Sequence, residues 1–197
     1  MFKSIILAAI VAFADAKKGK KERGKYSVNP TPRLTDHACL ETGYATCTLT
    51  GDGVSGTFNL KEKRGSYRLN IESDDITGLT EGLHGFHIHE FGDVSGDCAV
   101  TGGHWNPKDN DHGEYTERRS KRHIGDMKMI DAAASGATSY DYTDHIASLY
   151  GKYSVAGRSL AIHAGEDDFG QPFGNAGSKV ACCTIAWTPE PEPESKL

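Results

Sequence analysis

Nine histidines are spread through the 197 residues, and six of them fall where imidazoles could share metal ions. His87 and His89 stand two apart in Gly85-Phe86-His87-Ile88-His89. On a strand both rings project from one face, while Phe86 and Ile88 project from the other. A lone His-x-His carries little weight, because a strand histidine is more often simply packed and hydrogen-bonded. Here His104, His112, His123 and Asp126 follow it. His163 then closes Leu160-Ala161-Ile162-His163, with Leu160 and Ile162 in the opposite, core-facing phase. Imidazoles converging with one carboxylate suit copper and zinc, whereas calcium and magnesium prefer shells of oxygen alone.

Such a set needs a rigid frame, and the pattern around it is that of an antiparallel sheet. Ala45, Cys47 and Leu49 share one phase and Thr46, Thr48 and Thr50 the other. Val54, Gly56, Phe58 and Leu60 repeat the spacing of two after a Gly51-Asp52-Gly53 turn, as do Tyr67, Leu69 and Ile71. Period-two alternation broken by Gly/Asp turns predicts strands with one buried face. Runs at 85–89, 124–130, 138–142, 159–163 and 179–187 bring the expectation to about eight strands. That number suits an all-β, eight-stranded antiparallel Greek-key sandwich or barrel, immunoglobulin-like in class. Residues 90–122 and 165–178 do not alternate; rich in Gly, Asp, Asn and Pro, they read as two long functional loops, each following a histidine-bearing strand.

The ends carry signals of another kind. Lys3, the apolar run 5–13 and Ala14-Asp15-Ala16 read as a secretory signal over residues 1–16, the alternative being a buried N-terminal strand. The last three residues, Ser195-Lys196-Leu197, match a peroxisomal address, which a co-translational signal would override. Residues 17–42 form a basic arm and linker, with six cations against one anion in 17–25. The overall charge is −5, so the body between the 17–25 run and the acidic Pro/Glu tail at 189–197 is near −8. The arm could hold an acidic protein against a polyanionic surface, or be a solvated leader. Neither a nucleic-acid partner nor a membrane span is expected, since no internal stretch reaches the roughly 18 apolar residues a spanning helix needs. Five cysteines, an odd number in a secreted chain, leave at least one thiol unpaired or intermolecular.

Gly82-Leu83-His84-Gly85-Phe86-His87-Ile88-His89-Glu90-Phe91-Gly92-Asp93 closely resembles the first signature of the copper/zinc superoxide dismutases. The resemblance continues through Gly103-His104-Trp105-Asn106-Pro107, His123-Ile124-Gly125-Asp126 and Gly157-Arg158-Ser159-Leu160. It extends to Asp167-Asp168 and Gly174-Asn175-Ala176-Gly177-Ser178-Lys179-Val180-Ala181-Cys182, placing the domain at 43–188. It implies dismutation of superoxide to oxygen and hydrogen peroxide, with copper on His87, His89, His104 and His163. Zinc would sit on His104, His112, His123 and Asp126, making His104 a bridging imidazolate that also carries a proton. Asp167 would orient one imidazole from each metal, and His84 would pack or hydrogen-bond rather than ligate. Cys98 and Cys182 match the family's disulfide, while Cys183 could pair with Cys39 or stay free. Phe91-Gly92-Asp93 and Ile185-Ala186-Trp187 match the family's contacts for a homodimer.

Two departures touch the channel to copper. Lys179 replaces the family's arginine, a compact flexible charge in place of a planar fork. The loop at 170–177 is shortened and has lost its charged segment, with Phe173 where a small threonine usually narrows the channel. Arg118, Arg119, Lys121 and Arg122 could partly restore a positive field. Copper-only relatives also lack this loop, but they lack the zinc ligands too. A metal-buffering protein and a surface-binding module are the readings outside enzyme chemistry.

Overall fold

Alternation becomes structure over most of the domain. The computed structural model describes residues 42–51 and 53–192; the expected leader, Cys39, nearly all of the basic arm and the end of the tail lie outside them. Eleven strands run in chain order: β1 (Thr42–Thr48), β2 (Thr50–Gly51), β3 (Thr57–Lys63), β4 (Leu69–Ile76), β5 (Gly82–His84), β6 (Phe86–His89), β7 (Ile130–Ala132), β8 (Thr138–Asp144), β9 (Ser159–His163), β10 (Lys179–Thr184) and β11 (Ala186–Thr188). Among the described residues there is no helix. A five-stranded sheet, β11-β1-β3-β4-β8, packs on a four-stranded sheet, β2-β10-β9-β6, with β5 and β7 forming a small third ladder. Every named pairing is antiparallel.

Between the two larger sheets lies an apolar core to which the longer strands lend alternate residues. Phe58 and Leu60 come from β3, Leu69 and Ile71 from β4, Phe86 and Ile88 from β6, and Leu160 and Ile162 from β9, all essentially buried. The Phe58 and Phe86 rings stack at 4.8 Å across the sandwich, and Tyr140 meets both edge-on. Full burial of such a side chain contributes about 1.5–3 kcal/mol, so these pairs fix the register on which the histidines depend.

The sequence expectation of about eight strands differs from the fold at several places, and Tyr67, expected in phase with Leu69 and Ile71, precedes β4 and is 71% exposed. The run at 124–130 is mostly irregular: only Ile130 onward pairs as a strand, and Asp126 makes a single bridge to His87. The apolar residues there, Ile124 and Met127, fill the core from a loop at a spacing of three, which is no strand alternation. Cys183, expected to meet Cys39 or remain free, is bonded to Cys47. Cys182 and Cys183 are consecutive on β10 and so face opposite sides. Cys183 points inward and joins the two sheets through Cys47 on β1. Cys182 points outward and holds the loop through Cys98.

Candidate metal centre

β6 and β9 pair so that His87 lies opposite Ala161 and His89 opposite Ser159. His163 shares the phase of Ser159 and Ala161, and on its other side β10 places Lys179 opposite it. All three histidines, with His104, turn away from the core yet are buried under the loops. The loop from 90 to 129 returns to the edge of β6: His104 bridges to His89 and Asp126 to His87. Trp105 N–H donates to Ile88 O at 2.7 Å, and Ile88 N–H to Gly125 O at 2.8 Å.

Hydrogen bonds fix which nitrogen of each ring is free. His89 Nδ1–H donates to Gly102 O (2.9 Å) and His163 Nδ1–H to Gly177 O (3.0 Å). Their Nε2 atoms, left with lone pairs, face each other at 3.3 Å. His87 and His112 both donate from Nε2 to Asp167 Oδ2, at 2.8 and 2.9 Å. His87 Nδ1 is buried without any hydrogen-bond partner, and His112 Nδ1 is buried with Asp126 Oδ1 beside it at 3.0 Å. Buried nitrogens without partners are costly unless something accepts their lone pairs, and a cation does so. Burial pushes His87 down to about 3, His89 to about 2 and His163 to about 4, so they are neutral imidazoles, the ligating form.

Two sets of donor atoms, each within 4.8 Å, could hold a metal: His87, His89, His104 and His163, and again His87, His104, His112 and Asp126. His123 completes the second set better than His87 does. Asp126 Oδ1 lies 3.0 Å from His104 Nδ1, 3.0 Å from His112 Nδ1 and 3.1 Å from His123 Nδ1. His104 and His123 Nδ1 are 3.4 Å apart. Four atoms about 2.0 Å from a shared centre stand about 3.3 Å apart in a tetrahedron, so this quartet fits the closed N/O shell that zinc takes. Asp126 Oδ2 is held by the N–H groups of Gly113 (3.1 Å) and His123 (2.8 Å). Burial lowers the His112 pKa, but Asp126 and Asp167 outweigh it and raise it to about 9, so this ring gives up a proton when it ligates. His104 belongs to both sets, and Asp167 ties a ring of each.

Outside these sets, His84 Nδ1 meets His163 O at 2.7 Å and its Nε2 meets Thr80 O at 2.9 Å, which makes it a brace and no ligand. An open cleft of about 430 Å³ leads to the first set, walled by His89, His104, His163, Phe173, Ala176 and Lys179. Phe173, half exposed, lies 5.5 Å from the His104 ring. Lys179 Nζ donates to Gly102 O at 3.3 Å, the oxygen that also orients His89. Gly174 is at φ +71°, and a Cβ there would fall 1.9 Å from Asp167 Oδ1, so only glycine lets the loop close on that carboxylate.

The basic cluster at 118–122 is corrected in part. Arg118, Arg119 and Lys121 are exposed, but Arg122 is buried and paired with Asp144. Its Nη1 donates to Asp126 O at 2.5 Å, so it braces the loop and adds nothing to a steering field. Nothing in the spacing separates Arg122 from its neighbours. The pairing shows only once Asp144, at the end of β8, comes under the loop. Asp144 and Gln171 carry no local signal for the same reason: their partners Arg122 and His112 lie 22 and 59 residues away.

The copper/zinc superoxide dismutase family model matches residues 54–185. Superoxide dismutase [Cu-Zn] 5 of Dictyostelium discoideum is 40% identical over 149 residues, covering 72% of this chain and 96% of that one. A superoxide dismutase [Cu-Zn] of Onchocerca volvulus is 38% identical, covering 72% and 94%. An extracellular superoxide dismutase [Cu-Zn] of Caenorhabditis elegans is 42% identical, covering 68% and 62%. With two donor sets that share one imidazole at the edge of a β-sandwich, and with these matches, the chain belongs to the copper/zinc superoxide dismutase family.

Proposed function

We propose that this enzyme dismutates superoxide at a copper held by His87, His89, His104 and His163, beside a zinc held by His104, His112, His123 and Asp126. Bound copper supplies a one-electron couple, by which one superoxide is oxidised to oxygen and a second, taking up two protons, is reduced to hydrogen peroxide. The shared ring of His104 is the observation that carries this reading. Its Nδ1 is committed to Asp126 and its neighbours, which leaves Nε2 toward the cleft side, where it can hold and deliver a proton. Lys179 offers an approaching anion a positive charge, and Asp167 keeps His87 and His112 in the tautomer whose Nδ1 can ligate. Asp126 and the buried rings give the zinc set a structural task without redox work.

The likeness to extracellular relatives supports a secreted protein cleaved after Ala16, with the dismutase domain spanning 43–188. Two disulfides agree with an oxidising destination. Half-exposed Phe91 and Trp187 support a homodimer through their faces, and the arm of residues 17–25 suits a polyanionic surface. Metal analysis with a superoxide assay tests the core of this reading. One copper and one zinc per chain with rapid turnover is the expected result; copper without zinc, in protein offered both, overturns the zinc set.

A further inference from the structure

The four donors of the zinc set are not anchored alike. His104 and Asp126 bridge to β6, and His123 N–H donates to Asp126 Oδ2 at 2.8 Å. His112 lies in the middle of an irregular stretch with no strand beside it. Its backbone is held instead by one side chain from the far loop. Gln171 Oε1 accepts from His112 N–H at 2.9 Å, and Gln171 Nε2 donates to His112 O at 2.7 Å. The amide thus makes both bonds that a neighbouring strand would make to one residue. Four residues earlier in the same loop, Asp167 holds the ring of His112 through Nε2. Backbone and ring of this one donor are therefore fixed from a single short segment.

We propose that Gln171 is a positioning residue for the zinc set: it fixes the backbone of His112, whose ring Asp167 holds. The proposal rests on the reading of His112 as a zinc ligand. Gln171 does not touch the donors themselves and takes no part in the electron or proton steps. Because groups that orient a ligand commonly change metal affinity 10- to 100-fold, and Gln171 acts one step further out, its loss should cost about tenfold. Gln171 is exposed, so replacing it opens no cavity in the core.

The test compares the full-length, metal-loaded protein with Gln171→Met, which has similar length and no hydrogen-bonding amide, and Gln171→Glu, which keeps the acceptor and loses the donor. Zinc transfer to a chromophoric chelator is followed at neutral pH, together with the melting temperatures of loaded and metal-free forms. The expected result is release about tenfold faster for Gln171→Met, an intermediate rate for Gln171→Glu, unchanged copper content and an unchanged metal-free melting temperature. The visible absorption of cobalt placed in the zinc set should change in Gln171→Met, as a displaced donor requires. Equal release rates overturn the proposal. So does a metal-free form destabilised as much as the loaded one, since the amide would then merely close a loop. A His112→Ala control separates the two ideas: if it binds zinc like the wild type, the ligand reading fails whatever Gln171 does.

Discussion

Three of the proposed copper ligands, His87, His89 and His163, hang from paired strands, whereas the zinc donors all come from the irregular loop between β6 and β7. The rings are the same chemistry held by different means. On the copper side the placement follows from sheet register, and that register is set by Phe86, Ile88, Leu160 and Ile162 packing into the core. On the zinc side it follows from side chains that capture backbone: Asn110 on Arg119 O and Arg122 O, Arg122 on Asp126 O, Gln171 on His112. A ladder shares its load over many residues, while a captured loop depends on single groups. Mutations should therefore act locally on the copper side and collectively on the zinc side.

The largest effect expected is also the most local. His87→Ala should abolish dismutation while zinc stays bound, because the fold of β6 is held by Phe86 and Ile88 on its opposite face. His112→Ala should instead lose zinc and loosen the loop while copper remains. Metal analysis alongside a superoxide assay checks both, and loss of both metals from His87→Ala would break the comparison.

Next in size comes the brace beneath the loop. Arg122 and Asp144 are fully buried, and Asp144 Oδ1 also accepts from Ile146 N–H at 2.6 Å. Removing one partner of a buried ion pair leaves the other uncompensated, at a cost of about 3–5 kcal/mol. Arg122→Ala should lower the melting temperature by that equivalent and release zinc, while Arg119→Ala, at an exposed position, should do neither. Thermal unfolding with and without chelator decides.

The same division explains what the sequence made legible. His87, His89 and His163 could be placed from alternation alone, since period two settles which face each ring takes. The zinc set and its support Asp167 could be placed only by family likeness, and the supports Arg122 and Gln171 not at all. Arg122 looked like Arg118 or Lys121, Gln171 like any loop glutamine, and Cys47 like one more inward residue of β1. What distinguishes them is what lies across a gap of 22 to 136 residues, which local pattern does not encode. The difference at 124–130 has a related cause: Ile124, Met127 and Ile130 are apolar because the loop enters the core, and apolar content alone does not tell a loop from a strand.

The disulfides offer a smaller contrast of the same kind. Cys47–Cys183 closes the sandwich and Cys98–Cys182 holds the loop by the cleft. Each should contribute about 2–4 kcal/mol by restricting the unfolded chain. The double substitution Cys98→Ser/Cys182→Ser should also weaken metal retention, whereas Cys47→Ser/Cys183→Ser should lower stability with both metals kept. Non-reducing peptide mapping should find these two pairs; a Cys98–Cys183 link would contradict the register of β10.

The smallest effect concerns the cation in the wall of the cleft on the copper side. Gly102 O accepts from His89 Nδ1–H and from Lys179 Nζ, so the cation stands beside a copper ligand on a body of net charge near −8. Burial pulls the Lys179 pKa below its ordinary value, but no carboxylate among the described residues lies within 4.0 Å to cancel its charge. One unit charge at about 7 Å in water is worth about 0.6 kcal/mol, or about threefold in the encounter rate of a monovalent anion. Lys179→Ala should therefore slow the second-order reaction about threefold at low salt, and Lys179→Glu about sevenfold, reversal doubling the energy. Lys179→Arg should match or slightly exceed the wild type. Raising the ionic strength should flatten the whole series, because the screening length falls to about 8 Å at physiological salt. Stopped-flow decay of superoxide at equal copper occupancy measures this. If Lys179→Glu keeps the wild-type rate at low salt, anions reach the cleft from every side, and strand register places Lys179 beside His163 without making it a guide.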